Sequence, residues 1–264
     1  MGIGAVSEFA KDQQQGGRGR NVRLGAGVGA SVGKVDPRPV LIVTGLVQEA
    51  RIASGPGMTV ICSSSDPQQL RSLLTVFDPT TIRGVISFGV AGGLDPTLKS
   101  GDIVVATEVL AGDTRWLADL ALKDHLIAGF GLGRRRVVRG RLAGTEELVA
   151  ERHLKEALHL ETGAAAVDME SHIAAEYAAN AGLPFAALRV VSDPAHRALP
   201  PLAMGAIKPN GDIDLRKVLR SVARNPRTLR DLVTTGIDFN RALRSLRGCR
   251  GFLLGSEGLV TADL

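Results

Sequence analysis

Four polar positions stand where buried apolar runs end, and together they could move a proton or hold a hydroxyl-bearing ligand. Asp168 and Glu170 follow the apolar run 164–167, and Ser192 and Asp193 follow the run 185–191. Carboxylates at such positions are groups whose ionisation a fold can tune for acid–base work. Each also has a structural alternative. Asp168 and Ser192 fit a helix N-cap as readily as a site, and Asp193 before Pro194 fits a cap followed by a first-turn proline. Glutamate is a poor N-cap, so Glu170 favours the functional reading. The stretch Phe88-Gly-Val-Ala-Gly-Gly93 adds backbone that a ligand can approach closely, because glycine carries no Cβ. It lacks the Lys-Ser/Thr of a triphosphate-binding loop.

Other chemistries find no support. No Gly-x-Ser-x-Gly elbow is present. The five histidines, at 125, 153, 159, 172 and 196, lack His-Glu-x-x-His spacing. His172 and Glu170 sit on adjacent helix-start positions that point different ways, so His172 reads as structural. Met169, by type alone, reads as core. Cys62 and Cys249 lie far apart and form no metal-ligand pair. Neither a metal nor a cofactor is expected, and the cysteine usage suggests a reduced, cytoplasmic setting.

The elements that must position these residues follow from periodicity. In 264 residues, 44% are hydrophobic and 22% charged, which suits one sizeable α/β core. Aromatics are only 3%, so that core is built from Ala, Val, Leu and Ile. Strands are predicted over 40–43, 58–62, 84–88, 102–110, 136–142, 164–167 and 185–191. Helices are predicted after the Asp66-Pro67 cap, over 116–127, over 146–159, and from Ile173 to a stop at Gly182-Leu183-Pro184. Strands alternating with helices imply a mostly parallel sheet covered on both faces, whose ligands sit at the carboxyl ends of strands. The polar positions above all lie at such ends, as does Thr44-Gly45.

Two segments stand apart. Residues 1–36 are rich in Gly, Gln and Arg and are expected to form a disordered extension ahead of a single domain over 37–264. Gly25 to Gly29 looks like half a dinucleotide fingerprint, but no strand precedes it. The start lacks a signal peptide's order, and no apolar run approaches the roughly 20 residues of a membrane span. The net charge of +5 gathers in the first residues and the last third. There Leu215, Val218, Leu219 and Val222, and later Phe239, Leu243 and Leu246, mark apolar faces among arginines. These faces either pack on the sheet with the arginines in water or dock on an anionic membrane.

Three segments together resemble the nucleoside phosphorylase and nucleosidase superfamily: LIVTGLVQEA (41–50), SFGVAGGLDPTLKSGDIVVA (87–106) and AVDMESHIAAEYAANAGLPFAALRVVSD (166–193). The resemblance implies a three-layer α/β/α fold with a central mixed, mostly parallel sheet, in a homo-oligomer. It is strongest to adenosine-type nucleosidases, and it implies that Asp193 protonates adenine, that Met169 and Glu170 hold the ribose, and that Glu49 positions water. Ser192 and the backbone of Val90, Ala91 and Gly92 complete the implied substrate contacts. Ser87 and Val90 stand where phosphate-using members carry Arg and Ser, which favours water as nucleophile. The segment 196–226 and the basic tail resemble the hopanoid-associated branch, so the resemblance implies adenosylhopane as substrate and peripheral membrane contact, with no nucleic acid partner. Nothing near Gly144 to Glu147 matches the adenine-stacking aromatic of the soluble nucleosidases. A phosphorolytic enzyme and a non-catalytic nucleoside-binding protein of the same fold are the two rival readings.

Overall fold

The computed structural model describes residues 36–128, 135–200 and 228–254. Residues 1–35 of the expected extension 1–36, with Gly25 to Gly29, and the apolar positions Leu215 to Val222 lie outside the described residues. The first strand shows why the fold forms as it does. In β1 (Val40–Thr44) every residue is buried. Its alternating side chains fill two cores at once: Leu41 and Val43 on one face, Val40 and Ile42 on the other. A strand covered on both faces reads as a continuous apolar run, as this one does.

The elements that follow are α1 (Val47–Ala53), β2 (Met58–Cys62), α2 (Pro67–Val76), β3 (Val85–Gly93), β4 (Ile103–Ala111) and β5 (Thr114–Leu117). Next come α3 (Leu120–Ala128), β6 (Val137–Gly144), α4 (Arg152–Thr162), β7 (Ala166–Asp168), α5 (Ser171–Asn180), β8 (Phe185–Asp193) and α6 (Thr228–Leu254). The sheet runs β2-β1-β3-β7-β6-β4-β5, and β8 pairs with both β3 and β4. Pairings of β1 with β2 and β3, of β3 with β8, and of β6 with β4 and β7 are parallel. Those of β3 with β7, and of β4 with β5 and β8, are antiparallel. Helices α2 and α5 supply Leu70, Leu74, Ile173 and Ala174 to one face, while α1, α3 and α6 supply Ile52, Leu122, Leu126, Leu243 and Leu246 to the other. The result is the three-layer α/β/α fold with a mixed sheet.

Local signals explain most boundaries. Asp66 accepts from the amides of Gln68 and Gln69 and starts α2. Gly182, at φ +64°, ends α5 as a left-handed stop. Three boundaries differ from expectation. Trp116 lies in β5, because Gly112, at φ +55°, turns the chain with Asp113 and pairs Thr114–Leu117 antiparallel to β4. Helix α4 begins at Arg152, because Thr145 is bound to β7 through its amide and the Asp168 carbonyl at 3.0 Å. The glycine stretch 89–93 is not a loop; it is the end of β3, laddered to β8 from Gly89 opposite Arg189 onward.

Helix α6 runs unbroken through Gly236. Ala242, Leu243, Leu246 and Cys249 are buried against the sheet, while Arg241, Arg244, Arg247 and Arg250 are exposed. Burial pushes the Cys249 thiol up to about 12, so it stays protonated. Among the described residues no helix is long and apolar enough to cross a membrane.

Candidate active site

The candidate residues meet where β1, β3, β7 and β8 end. At the end of β3 an irregularity in the pairing with β8 sets Ala91 opposite Val191 but Gly92 opposite Asp193, leaving Ser192 as an extra residue. Such a bulge re-aims the side chains beyond it. Asp193 emerges buried at 6% exposure, with Oδ1 accepting from Ser192 Oγ at 2.6 Å. Its Oδ2 lies 2.5 Å from Nζ of Lys155, which projects from α4 and is fully buried. Burial pushes the Asp193 carboxyl above the usual aspartate range, against the opposing pull of Lys155. Ser192 and Asp193 cap no helix among the described residues; Ser192 Oγ also lies 3.2 Å from the Ala91 carbonyl, the second acceptor in reach of its one hydrogen.

A second cluster surrounds Arg189, four residues earlier on β8 and fully buried. Its Nε lies 2.9 Å from Asp168 Oδ2 and its Nη2 lies 3.4 Å from Glu170 Oε2. Nη2 also donates to Ser87 Oγ at 2.6 Å, and Nη1 to the Val90 carbonyl at 3.3 Å. The N-cap position of α5 is Glu170, whose side chain does not cap; Asp168, two residues ahead, does that work, its Oδ1 accepting from the amides of Glu170 and Ser171 at 2.9 and 2.7 Å. It therefore serves both readings: it begins the helix and holds Arg189. Glu170 is pushed up to about 7, because burial outweighs Arg189, and Asp168 and Glu49 add to the rise. Ser63 Oγ at the end of β2 donates to Glu170 Oε1 at 3.4 Å. Met169 is half-buried between these two acids in sequence.

Glu49 sits in the first turn of α1 at 1% exposure. Its Oε2 accepts from the amides of Gly45 and Leu46, each at 2.9 Å, and Oε1 from the amide of Val90 at 2.8 Å. A carboxylate has about four lone-pair sites, so three backbone donors leave one for a ligand or water. Burial raises its pKa, opposed first by Arg189 and then by those amides. The glycines are needed here. A Cβ on Gly45 would fall 2.5 Å from Glu170 Oε1, and one on Gly89 would fall 2.6 Å from Arg189 Nη1 and 2.7 Å from Glu49 Oε2. The strand ends are thus bare so that the carboxylates can cross them.

Glu49 borders β3 at Gly89 and Asp193 borders it at Gly92. Three residues of strand separate these positions by about 10 Å. Val90 and Gly92 are partly accessible and Ala91 is buried between them. Among the described residues, no group of three or more His, Cys, Asp or Glu is placed to hold a metal ion.

Sequence reasoning passed over Arg189 and Lys155. Arg189 carried a legible signal, a lone charge inside the apolar strand 185–191. Lys155 carried none, because it resembles any helix-surface lysine, whereas Leu154 and Leu160 of the same helix are 47% and 80% exposed. His172 is structural in its contacts: its Nε2 lies 2.9 Å from Glu146 Oε1. Hydrogen bonds from Arg71 hold Glu146 down to about 2.

The model of a family described as the Phosphorylase superfamily matches residues 30–229. A 5'-methylthioadenosine/S-adenosylhomocysteine nucleosidase of Mycobacterium bovis is 31% identical over 151 residues, 42% of this chain and 59% of that protein. The nucleosidase of the same description from Mycobacterium tuberculosis matches to the same extent. The chain thus spans 59% of the length of the curated relatives it matches. In fold it is similar to a Campylobacter jejuni 5'-methylthioadenosine/S-adenosyl homocysteine nucleosidase, at TM-score 0.60 and 14% identity over 83% of this chain and 98% of that one. It is also similar to the native futalosine hydrolase of Helicobacter pylori, at TM-score 0.53 and 19% identity over 59% and 88%.

Proposed function

The chain belongs to the Phosphorylase superfamily, and on that footing we propose that it cleaves the N-glycosidic bond of an adenosine derivative by acid-assisted hydrolysis, releasing adenine. The observation that carries this reading is the pair of buried carboxylates, Asp193 and Glu49, set at Gly92 and Gly89 of one bare strand. Adenine leaves poorly as an anion, so a proton on its ring lowers the barrier, and the raised Asp193 carboxyl is the group to give it. As the bond breaks the ribose gains positive charge. Glu170, with Met169 beside it, binds the ribose and offsets that charge. Glu49, anchored by three amides, has a lone pair left to orient and deprotonate a water. Ser192 steadies Asp193, and the Val90–Gly92 edge contacts the substrate.

Water is favoured over phosphate because Arg189 is committed to Asp168 and Glu170. A phosphate entering beside Glu49 and Glu170 would meet carboxylates in a closed, low-dielectric site. The likeness of residues 196–226 and the basic tail to the hopanoid-associated branch makes adenosylhopane the proposed substrate. Such a substrate is nearly insoluble in water, so the exposed arginines of α6 would bring the enzyme to an anionic membrane from the cytoplasm, each contributing about 1 kcal/mol. Assembly as a homo-oligomer is part of the same reading.

The test is incubation of the purified protein with adenosylhopane, methylthioadenosine and adenosine, with and without phosphate. Free adenine and free ribosyl product are expected without phosphate. Adenine released only with phosphate, together with a ribose 1-phosphate, would overturn hydrolysis; no adenine from any substrate would overturn the activity. The membrane part is checked by co-sedimentation with anionic liposomes, which should weaken with salt and when Arg241, Arg244 and Arg247 become Gln.

A further inference from the structure

Lysine is the last residue expected to be fully buried on a helix that leaves Leu154 and Leu160 in solvent. Desolvating an ammonium is costly unless it is paired and hydrogen-bonded. Lys155 meets both conditions at one place. Its Nζ lies 2.5 Å from Asp193 Oδ2 and 3.0 Å from the Arg197 carbonyl, with the Asp193 and Pro194 carbonyls farther out at 3.4 and 3.5 Å. Three N–H bonds cannot serve four oxygens equally, so the two short contacts dominate. The turn 194–197 is closed by the Arg197 amide donating to the Pro194 carbonyl at 2.9 Å. Arg197 in turn reaches α6, where its Nη1 lies 2.7 Å from Asp238 Oδ2.

We propose that Lys155 is a positioning residue that fixes the Oδ2 side of Asp193, sets the pH range over which Asp193 carries a proton, and holds the carboxylate formed when that proton leaves. The proposal rests on the hydrolytic reading above. In that reaction the electron pair of the glycosidic bond leaves with adenine and the Asp193 proton passes to the base. The water oxygen bonds to the anomeric carbon, and the water proton goes to Glu49. Asp193 ends as a buried carboxylate, and the ammonium at 2.5 Å is what stabilises it there. Oδ2 is held by the Lys155 charge, so Oδ1, whose one close partner is the Ser192 hydroxyl at 2.6 Å, is the oxygen that carries the proton toward a base.

Among the described residues, two charged groups act most strongly on Asp193. Lys155 comes from α4 and favours the carboxylate, while Asp238 comes from α6 and disfavours it. Asp238 is itself bound by Arg197 and Arg241, at 2.7 and 3.3 Å. On the neighbouring strand β3 the residue paired with Asp193 is Gly92, which carries no side chain. Removing the ammonium therefore leaves burial and Asp238, both of which keep Asp193 protonated.

The experiment is a pH profile of kcat/KM for wild type, Lys155→Met and Lys155→Arg. An opposite charge at this distance lowers an acid's pKa by about 1–3 units. The alkaline limb, where Asp193 loses its proton, should therefore move up by about one pH unit or more in Lys155→Met, with kcat falling at neutral pH. Lys155→Arg, which keeps the charge, should leave the limb near its wild-type place. A lysine that only braces the 194–197 turn would lower activity or stability without moving the limb, and that result would overturn the proposal. So would an arginine variant whose limb moves as far as the methionine variant's.

A second readout needs no turnover. The protonated carboxyl band of Asp193 in isotope-edited infrared spectra of the full chain, identified by its loss in Asp193→Asn, should persist to higher pH in Lys155→Met. If the wild type releases no adenine, the functional reading fails while this titration still decides the role of Lys155. Should Lys155→Met not fold, Lys155→Gln can still bond the Arg197 carbonyl and carries the same expectation; an unmoved band in either variant refutes it.

Discussion

Two buried cations hold carboxylates near the same end of the sheet, in different ratios. Arg189 stands among three acids, with Asp168 at 2.9 Å, Glu170 at 3.4 Å and the field of Glu49. Lys155 stands against one, Asp193, at 2.5 Å. The difference in ratio is a difference in chemistry. In the Arg189 cluster burial lifts Glu170 to about 7, and the like charges of Asp168 and Glu49 add to that rise. Around Lys155 burial is again the first cause of the rise of Asp193, opposed by one close ammonium and helped by Asp238 alone among the acids that act on it most strongly. The residue types match these roles. Guanidinium offers five donors in a fixed fork and can serve several acceptors, whereas ammonium is a compact charge suited to one close partner.

The comparison breaks most severely at Arg189. Arg189→Met removes the cation and leaves three buried acids facing one another. Breaking a buried pair in this way costs about 3–5 kcal/mol. Denaturant unfolding at several pH values is the check, and the loss should shrink as the pH falls and the acids protonate. A variant as stable as wild type at pH 8 would mean that the cluster is not held by charge.

On the other side, Asp193→Asn keeps the shape of the pair and removes the acidic proton. General acids supply about 10²–10⁴-fold, so adenine release should fall by that order while the fold stays intact by circular dichroism. Near-native turnover would remove Asp193 from the chemistry.

How far these two clusters were legible in the sequence depends on how each residue is held. The acids at strand ends, Asp168, Glu170, Ser192 and Asp193, could be read because apolar runs pointed to them. Their cations could not be read alike. Arg189 interrupts a strand and stood out in principle; Lys155 occupies a helix, where any lysine is unremarkable until α4 is docked. The predicted strand stops at Phe88, short of the glycine stretch, because the ladder of that stretch to β8 depends on a distant strand. Trp116 was assigned to a helix because the two-residue turn at Gly112 left too short a strand for periodicity to show.

The pH dependence of stability sharpens the contrast more gently. Glu170 is at about 7 when folded and near 4.5 when unfolded, so the folded state holds a proton that the unfolded state gives up. Its contribution is fully present below about pH 4.5 and is lost as pH rises through 7. The full swing is on the order of 3 kcal/mol. Glu170→Gln should flatten that part of the stability curve between pH 5 and 8, measured by urea unfolding. An unchanged slope would place the titration elsewhere.

The smallest effect belongs to Ser192. The bulge leaves Ser192 outside the ladder, and its hydroxyl bridges the Ala91 carbonyl at 3.2 Å and Asp193 Oδ1 at 2.6 Å. That bond to Oδ1 favours the carboxylate, so it works with Lys155 and against burial. Ser192→Ala removes it without removing a charge. A single hydrogen bond to a charged group contributes about 1.5–3 kcal/mol, and a neutral one about 1. Ser192 is partly accessible, so water can replace part of what is lost, and the smaller figure applies. Adenine release should therefore drop about 5-fold. The alkaline limb of the pH profile should rise, but by less than in Lys155→Met, because a dipole is lost there and a full charge is lost in the lysine variant. The ordering of those two shifts is the informative quantity. If Ser192→Ala moved the limb as far as Lys155→Met, the hydroxyl rather than the ammonium would set the ionisation of Asp193, and the contrast between a crowded arginine cluster and a paired lysine would lose its second half.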